Sequence, residues 1–264
     1  MHQLNRVMEF DKDFKAIVNE GSNLFLPSVS VDCVIFGFNN NELKVLLLKM
    51  KLAGVYALPG GFILKNEQAD TAAIRVLKER TGLDNIFLQQ FYTFGEPNRS
   101  DKKLHANLMK KEGIVIDKAN WLLQRFISIG YYALVDFSAV LPTHDALSIT
   151  CNWQNLNTVP ALMMDHNFIL SKALQTLQQQ ISYLPIGYNL LPLKFTMPQL
   201  QKLYETILNK SLDRRNFQRK ILSYGIIQKL TEVKTGVAHK APFLYSFIKS
   251  NYDEALKNGL SGGW

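Results

Sequence analysis

Runs of β-forming residues dominate the first half of the chain. Residues 30–38 form one run, three asparagines at 39–41 form a turn, and residues 43–48 form the next run, so the pattern predicts a hairpin. A longer apolar run at 126–135 predicts a further buried strand. Helical segments are interspersed without a regular strand–helix alternation, which predicts an α+β sandwich.

Helical spacing of apolar residues appears first at 67–80, and Gly82 predicts the end of that helix. Beyond Pro160 the pattern is mostly helical, and Asp165 is a predicted cap for a helix that extends to Gln180. Its predicted apolar stripe consists of Phe168, Leu170, Ala173, Leu174, Leu177 and Ile181.

A proline and a glycine at 185 and 187 interrupt the helical pattern and place a domain boundary near 183–188. The predicted organisation is therefore a first domain over 1–160, a linker helix and boundary over 161–187, and a second domain over 188–264.

Composition narrows the class of protein. The chain has 264 residues, of which 47% are hydrophobic and 20% are charged, a balance typical of folded globular domains. No apolar run approaches the roughly 18 residues that a membrane helix needs, and the first 25 residues contain no uninterrupted apolar segment of the kind found in export leaders. Two cysteines are too few for a disulfide framework or a zinc cluster. We therefore expect a cytoplasmic protein with no membrane partner.

The net charge of +8 is concentrated at the C-terminal end of the chain. Residues 188–264 carry 12 Lys and Arg against 5 Asp and Glu, whereas the other 187 residues carry 18 against 17. This asymmetry indicates an anionic partner for the basic part, with nucleic acid the commonest class and a membrane surface the second.

A motif of glycines and charged residues overlaps the first predicted helix. Its members are Gly61, Glu67, Arg75, Glu79 and Gly82, spaced Gly-x5-Glu-x7-Arg-x3-Glu-x2-Gly, and an apolar residue follows. This motif resembles the Nudix box, and the resemblance implies a Nudix-like α/β/α sandwich. In that family the box carries carboxylates that hold Mg²⁺ or Mn²⁺ against a diphosphate.

Two positions of the motif depart from the family's pattern. The residues at i, i+3 and i+4 of one helical patch are acidic in the family, but here they are Val76, Glu79 and Arg80. A fixed positive charge within a few ångströms repels a divalent ion. We therefore expect no metal, no cofactor, no catalytic residue and no hydrolysis by the family's route. Arg75 and Glu79, at i and i+4, form either a structural ion pair or a contact with a ligand.

A Nudix fold without its metal cluster still offers a cleft for a small molecule. Two adjacent glycines permit close approach of the backbone, and the loop after Thr93 combines an aromatic ring, a carboxylate and a guanidinium, which serve either a ligand or the loop itself. The candidate effector-binding residues are Gly60, Gly61, Arg75, Glu79, Phe94, Glu96, Asn98 and Arg99. The long connection at 102–125 predicts an extra helix around Trp121 that reshapes the pocket or a dimer surface.

Two short helices joined by a tight turn are predicted in the basic part. The first begins after Thr196 as N-cap and extends to Leu208, and the second begins after Asp213. On the second helix the residues expected to face the core are Phe217, Ile221 and Leu222. Basic residues project from its other side, a pattern typical of a helix-turn-helix with its recognition helix, and also of a solvated basic helix.

A hairpin is predicted where 226–230 and 241–247 flank a turn-prone Thr-Gly pair. This part resembles the C-terminal winged helix of bacterial Nudix-related transcriptional regulators, above all at 212–217 and 244–245. A winged helix would contact DNA phosphates through Lys210, Lys234 and Lys240, and read base edges through Arg214, Arg215, Asn216 and Arg219.

The first domain is similar to the effector domains of the same regulators at 30–38, 93–95 and 127–134. The combined resemblance implies a homodimeric transcriptional regulator, a repressor, that binds a palindromic operator in double-stranded DNA and senses a small-molecule effector. The effector is a pentose sugar such as arabinose or an ADP-ribose-like NAD metabolite, and the likeness at 30–38 favours the sugar.

Two other functions stay open. A Nudix hydrolase of ADP-ribose or sugar-nucleotide diphosphates with a C-terminal accessory domain would need metal ligands from outside the motif, and Mg²⁺-dependent turnover would identify it. An RNA-binding module would use the same basic domain, and a comparison of duplex DNA with RNA would identify it.

Overall fold

The structure is a computed structural model that describes residues 14–51, 54–84, 86–100, 102–111, 113–114, 116–117, 119–234 and 241–260. Contacts divide the chain into two units. The first contains the described residues of Met1–Phe36, Val45–Ala133 and Ala139–Ala173, and the second contains those of Gly37–Lys44, Leu134–Ser138 and Leu174–Trp264. Within the described ranges, no helix combines the length and the apolar character needed to cross a membrane.

A large sheet with flanking helices occupies residues 14–180. The elements are α1 (Phe14–Leu24), β1 (Phe25–Asn39), β2 (Glu42–Met50), β3 (Tyr56–Ala57), β4 (Gly60–Leu64), α2 (Ala69–Thr81), β5 (Phe87–Phe94), α3 (Lys102–Lys111), β6 (Ile127–Val135), β7 (Ser148–Asn155) and α4 (His166–Gln180). In the described chain seven strands share the sheet, in the order β3-β2-β1-β6-β5, with β4 paired to β1 and β7 to β2. The predicted α+β class is confirmed.

The predicted hairpin is confirmed as β1 and β2. Asn40 and Asn41 adopt left-handed backbone conformations with φ of 51° and 62°, which asparagine tolerates better than most residues. Buried residues of the two strands, with Tyr131 and Tyr132 of β6, form the centre of the core. Cys33 on β1 and Cys151 on β7 are free and buried.

Helix α2 is the helix predicted from the charged motif. Gly82 ends it in a left-handed conformation with φ of 72°, and its N–H donates to the Lys78 carbonyl over 2.8 Å. The apolar side that packs on the sheet consists of Ala72, Ala73, Val76 and Leu77.

Trp121 anchors the long connection to α1. It lies in a short 3-10 helix, Trp121–Leu123, and the same connection also contains the α-helix α3 (Lys102–Lys111). The helix expected around Trp121 is therefore only a single 3-10 turn, and its effect on the pocket or a dimer surface stays a prediction. The indole Nε1 donates to the Ile17 carbonyl over 3.2 Å. A Cβ atom on Gly21 would lie 2.3 Å from the indole Cζ2, so only glycine lets the helix approach this closely.

The second unit contains β8 (Phe195–Thr196), α5 (Met197–Leu208), α6 (Arg214–Ser223), β9 (Ile227–Val233), β10 (Phe243–Phe247) and α7 (Lys249–Asn258). Thr196 and Gln199 form a capping box at the start of α5, and the Asp213 carboxylate accepts from the Asn216 N–H at the start of α6. Strand β10 pairs antiparallel with β8 and β9. The two predicted helices and the hairpin are confirmed, and the predicted turn at 235–236 lies outside the described residues.

Two side chains predicted to face the core are exposed instead. Leu222 is 41% exposed, because a residue five positions after Phe217 lies about 140° around the helix axis from it. Phe168 on α4 is 53% exposed, since its neighbour Ile169 takes the buried position.

Candidate functional site

Arg75 ties the turn before α2 to the helix. Its Nε and Nη2 donate to the two oxygens of Glu67, each over 2.9 Å, and Nη2 also donates to the Phe62 carbonyl over 2.9 Å. Nη1 lies 3.4 Å from Glu79. Burial opposes the positive charge, but the hydrogen bonds to Glu67 and the nearby Glu79 carboxylate raise the pKa of Arg75. The ion pair predicted from spacing is present, and Glu67 is the closer partner.

Val76 stands at a motif position where the family has a carboxylate, and its side chain makes an apolar contact instead. Its side chain is buried, and a Cβ atom on Gly61 would lie 2.6 Å from Val76 Cγ2. Strand β4 therefore rests directly on the helix at this point. Gly61 is required for this close approach, and its contact with a ligand stays a prediction.

The Arg80 side chain points into the protein interior. Its side chain is only 4% exposed, and Nη2 lies 3.2 Å from Asp145 Oδ2 and 3.8 Å from Glu79 Oε2. The Arg80 carbonyl also accepts from the Thr143 N–H over 3.1 Å. These contacts join the last turn of α2 to the loop before β7.

The residues of the motif do not fit the divalent ion that the Nudix family uses. Mg²⁺ requires several oxygen ligands, but Glu79 is flanked by the guanidinium groups of Arg75 and Arg80. The other two positions of the acidic patch are an apolar side chain and a guanidinium. In the part of the chain that the structure describes, no group of three or more acidic, histidine or cysteine side chains could hold a metal.

A buried polar network lies beneath the turn at 58–61. Asp32 on β1 accepts a hydrogen bond from the Ser128 hydroxyl on β6, and its Oδ2 lies 3.5 Å from Arg99 Nη2. A Cβ atom on Gly60 would lie 2.7 Å from Asp32 Oδ1, so the backbone of the turn passes directly over the carboxylate. Gly60 was expected to permit a close approach of the backbone, and in the structure the group that the backbone approaches is the Asp32 carboxylate.

Arg99 joins this network to the start of α4. Its Nε and Nη2 donate to the two oxygens of Asp165, each over 2.9 Å, and Nη1 donates to the Phe126 carbonyl over 3.3 Å. The Arg99 side chain is 2% exposed. Burial opposes its charge, but the hydrogen bonds to Asp165 and the Asp32 carboxylate raise the pKa of Arg99.

His166 is the first residue of α4 and completes the network. Its Nδ1 accepts from the Leu58 N–H over 2.9 Å, which places the proton of the neutral imidazole on Nε2. Nε2 lies 3.8 Å from Asp32 Oδ1, beyond hydrogen-bond distance. Burial lowers the pKa of His166, and the opposing effect of the carboxylates of Asp32 and Asp165 does not cancel it.

Phe94 and Arg99 of the loop after β5 face the protein interior, which favours the second of the two roles predicted for this loop, that of supporting the loop itself. Phe94 is 2% exposed because it packs among three rings, those of Phe91, Tyr92 and Phe168. Arg99 is engaged by Asp165. Glu96 and Asn98, in contrast, are exposed at the loop surface, and Gly60 and Gly61 are half-buried.

Sequence reasoning missed Asp32, Ser128 and His166, and treated Asp165 only as a helix cap. Of these residues, only Asp32 could have been recognised from the sequence, because it is a carboxylate within an otherwise apolar strand. A buried charge needs a partner, so Asp32 could have been matched with a cation or a hydroxyl elsewhere. The histidine and the serine carry no comparable pattern.

We expect His166 to make the protein less stable in mild acid. The unfolded chain binds a proton on this imidazole near its ordinary pKa of 6.5, whereas the folded chain binds it only at lower pH. The stabilisation is therefore complete above about pH 6.5 and is lost as the pH falls through the lowered pKa. Urea unfolding between pH 5 and pH 7.5 measures this, and His166→Asn, which keeps an acceptor near the Leu58 N–H, should show a shallower pH dependence.

The exposed His144 provides the control for this measurement. His144→Asn also removes an imidazole, but at the surface, and should keep the wild-type pH dependence. An unchanged pH dependence in His166→Asn would contradict the prediction.

The second unit presents a polar, basic face on α6. Arg214, Arg215, Asn216 and Arg219 are exposed, whereas Phe217 and Ile221 are buried. Lys210 before α6 and Lys234 after β9 are also exposed, and Lys240 lies outside the described residues. Helix and hairpin therefore place the described candidate DNA-contacting side chains at the protein surface, in agreement with their predicted exposure.

Comparisons with known proteins match both parts of the chain. Residues 26–159 match the NUDIX domain model, and residues 187–247 match the NrtR DNA-binding winged helix domain model. The chain is 29% identical over 237 residues to the ADPR responsive transcriptional repressor NtrR of Acinetobacter baylyi, which covers 86% of this chain and 84% of that protein. This relative gives no support to the preference for a pentose effector.

Solved structures share the same fold. Shewanella oneidensis NrtR, crystallised with a 27mer DNA, has a TM-score of 0.67 at 24% identity and covers 85% of this chain and 95% of its own. A MutT/nudix family protein from Enterococcus faecalis has a TM-score of 0.59 at 20% identity, over 92% of this chain and 98% of its own. The predicted architecture, a Nudix-like sandwich followed by a winged helix, is thereby confirmed. With its charged motif placed on α2 and half of its length matched by the domain model, the chain belongs to the Nudix family.

Proposed function

We propose that this protein is a transcriptional repressor that binds operator DNA through its winged helix and senses ADP-ribose through its Nudix domain. The observation that carries the proposal is the exposed basic face of α6, in a part of the chain that matches a DNA-binding winged helix model. The Acinetobacter baylyi relative, which is an ADPR responsive repressor, supports the class of effector. The alternative, a solvated basic helix with no partner, would not explain why the helix after Asp213 lies in a segment that matches a DNA-binding winged helix.

The proposed effector cleft lies beside α2. ADP-ribose carries a diphosphate and two ribose rings, so it needs backbone N–H groups or cations for the phosphates and polar side chains for the hydroxyls. Gly60 and Gly61 can bring backbone close to the phosphates, and Glu96 and Asn98 are exposed for the sugars. Arg75 and Glu79 remain candidates at the edge of the same surface. Phe94 and Arg99 support the loop from inside.

Hydrolysis is not part of the proposed function. The Nudix reaction needs a divalent ion at the patch that Val76 and Arg80 now occupy, and Arg80 is held there by Asp145. In this proposal the Nudix domain serves to recognise a ligand and lacks the charge pattern of the family's metal site.

The proposed DNA complex contains two copies of the chain. One winged helix presents one recognition helix, and a palindromic operator needs two related by a twofold axis. Lys210, Lys234 and Lys240 would contact phosphates, while Arg214, Arg215, Asn216 and Arg219 would reach base edges.

We expect ADP-ribose to weaken operator binding at least about tenfold without being consumed, a change within the usual range of allosteric coupling. An operator duplex is first selected from randomised DNA with the purified protein. Fluorescence anisotropy then measures its Kd alone, with ADP-ribose and with arabinose, in buffer containing Mg²⁺, and chromatography measures the ADP-ribose left. Release by arabinose only, preference for RNA of the same sequence, or Mg²⁺-dependent turnover of ADP-ribose would each contradict the proposal.

We expect Arg215→Ala to weaken operator binding by about 1–3 kcal/mol, the range for a good base-edge contact. Because Arg215 is exposed, its loss should change the unfolding free energy by less than about 0.5 kcal/mol. Lys257→Ala is the matched control, since it removes one positive charge from the exposed end of α7. Equal effects of the two variants on operator affinity would indicate a general charge effect and not base readout.

A further inference from the structure

We propose that the network of Asp32, Arg99, Asp165 and His166 is the element through which an effector in the Nudix cleft acts on α4, with Asp165 and His166 as positioning residues. This inference rests on the proposed function, because it names how the same effector site is regulated. It assigns a role to buried polar groups that neither effector binding nor DNA binding requires.

The start of α4 holds two loops that border the proposed cleft. His166 accepts the Leu58 N–H at the turn 58–61, and the Met163 N–H donates to the Tyr56 carbonyl over 2.8 Å just before it. Asp165 holds Arg99 at the end of the loop 95–99 with two hydrogen bonds of 2.9 Å. Any ligand that shifts either loop must therefore move or break a contact to Asp165 or His166.

The charges make this network sensitive to small displacements. Two carboxylates, Asp32 and Asp165, share the Arg99 guanidinium, while His166 is held neutral by burial. Displacement of Arg99 would leave the buried carboxylate of Asp32 and the partly buried carboxylate of Asp165 without that cation, which is costly. At 3.8 Å, His166 Nε2 is one short shift away from donating to Asp32. In the proposed switch, such a shift would let His166 replace Arg99 as the partner of Asp32.

In this proposal, a displacement at the start of α4 moves the helix and so reaches its far end. Its residues up to Ala173 belong to the first unit and those from Leu174 belong to the second. Gln178 lies 12 positions after His166, in the part of the helix that belongs to the second unit. Its Nε2 donates to the Ile207 carbonyl of α5 over 2.9 Å, within the second unit. One continuous helix therefore starts at the network and is hydrogen-bonded at its other end to the helix that precedes the recognition helix.

The test measures coupling separately from binding. Isothermal titration gives the Kd of ADP-ribose, and anisotropy gives the ratio of operator Kd values with and without saturating ADP-ribose. For Asp165→Asn and Gln178→Ala we expect this ratio to fall at least threefold below the wild-type ratio. For Gln178→Ala, which is remote from the cleft, the Kd of ADP-ribose should stay within twofold of wild type.

Gln179→Ala is the matched control, because it removes the same side chain from the exposed neighbouring position of α4 and should keep the wild-type ratio. A purely structural role for the network would lower thermal stability and leave the ratio unchanged. Retention of the full wild-type ratio by either variant, provided that it folds, would overturn the inference. If Asp165→Asn does not fold, the ratio measured for Gln178→Ala alone tests the inference. Absence of any ADP-ribose effect in the wild-type protein would instead refute the proposed function.

Discussion

Replacement of Arg80 by methionine is expected to lower the unfolding free energy by about 3–5 kcal/mol, the usual result when one member of a buried ion pair is removed. Methionine keeps much of the length of the side chain, so the effect comes from the charge. Asp145 is 9% exposed and would lose the guanidinium 3.2 Å away. Urea denaturation at neutral pH measures the change.

Two further variants separate this ion pair from general effects of charge. Lys78→Met on the same helix breaks an exposed pair with Asp84 and should cost less than about 1 kcal/mol. Asp145→Asn added to Arg80→Met removes the unpaired carboxylate but keeps the oxygen that accepts from the Leu147 N–H, so it should recover part of the loss. If the double variant is no more stable than Arg80→Met, the lost pair with Asp145 is not the cause.

Phe217→Ala is expected to destabilise the second unit by about 3–5 kcal/mol, because it opens a cavity at a fully packed position. Phe217 is 1% exposed, and its ring packs edge-on against Tyr204 of α5 with centroids 5.4 Å apart. The contact joins the two helices that set the orientation of the basic face. Thermal unfolding followed by circular dichroism measures the loss.

Leu222→Ala on the same helix is the control for Phe217→Ala. Leu222 is 41% exposed and should cost much less than Phe217, although a pattern of i, i+4 and i+5 grouped the two together. Similar losses for both variants would show that Leu222 contributes as much to the packing of α6 as Phe217 does.

Local structure could be predicted from the sequence because its determinants are local. Gly82 ends α2, Thr196 and Asp213 cap α5 and α6, and asparagines turn the first hairpin, each through conformational preferences of the residue itself. The Nudix likeness likewise depended on a fixed spacing within one helix and the turn before it. Such features need no knowledge of what lies across the fold.

The buried polar network could not be predicted because its members are distant in the sequence. Asp32 and Ser128 are 96 positions apart, and Arg99 and Asp165 are 66 positions apart. Arg99 and Phe94 looked like surface groups because a loop normally exposes its side chains. Only the tertiary partner, Asp165 for the guanidinium and Phe168 for the ring, determines that they turn inward.

The contact between Gly21 and Trp121 restricts how α1 can be strengthened. Alanine in a helix interior is normally better than glycine by about 0.5–1 kcal/mol, so Gly21 would be an obvious choice for engineering. With the indole 2.3 Å from the position of the new Cβ, that gain is unavailable while residue 121 is tryptophan. The two positions, 100 residues apart, therefore constrain each other, because a larger residue at 21 needs a smaller one at 121. A more stable α1 requires a smaller side chain at 121 first, and related chains should change both positions together.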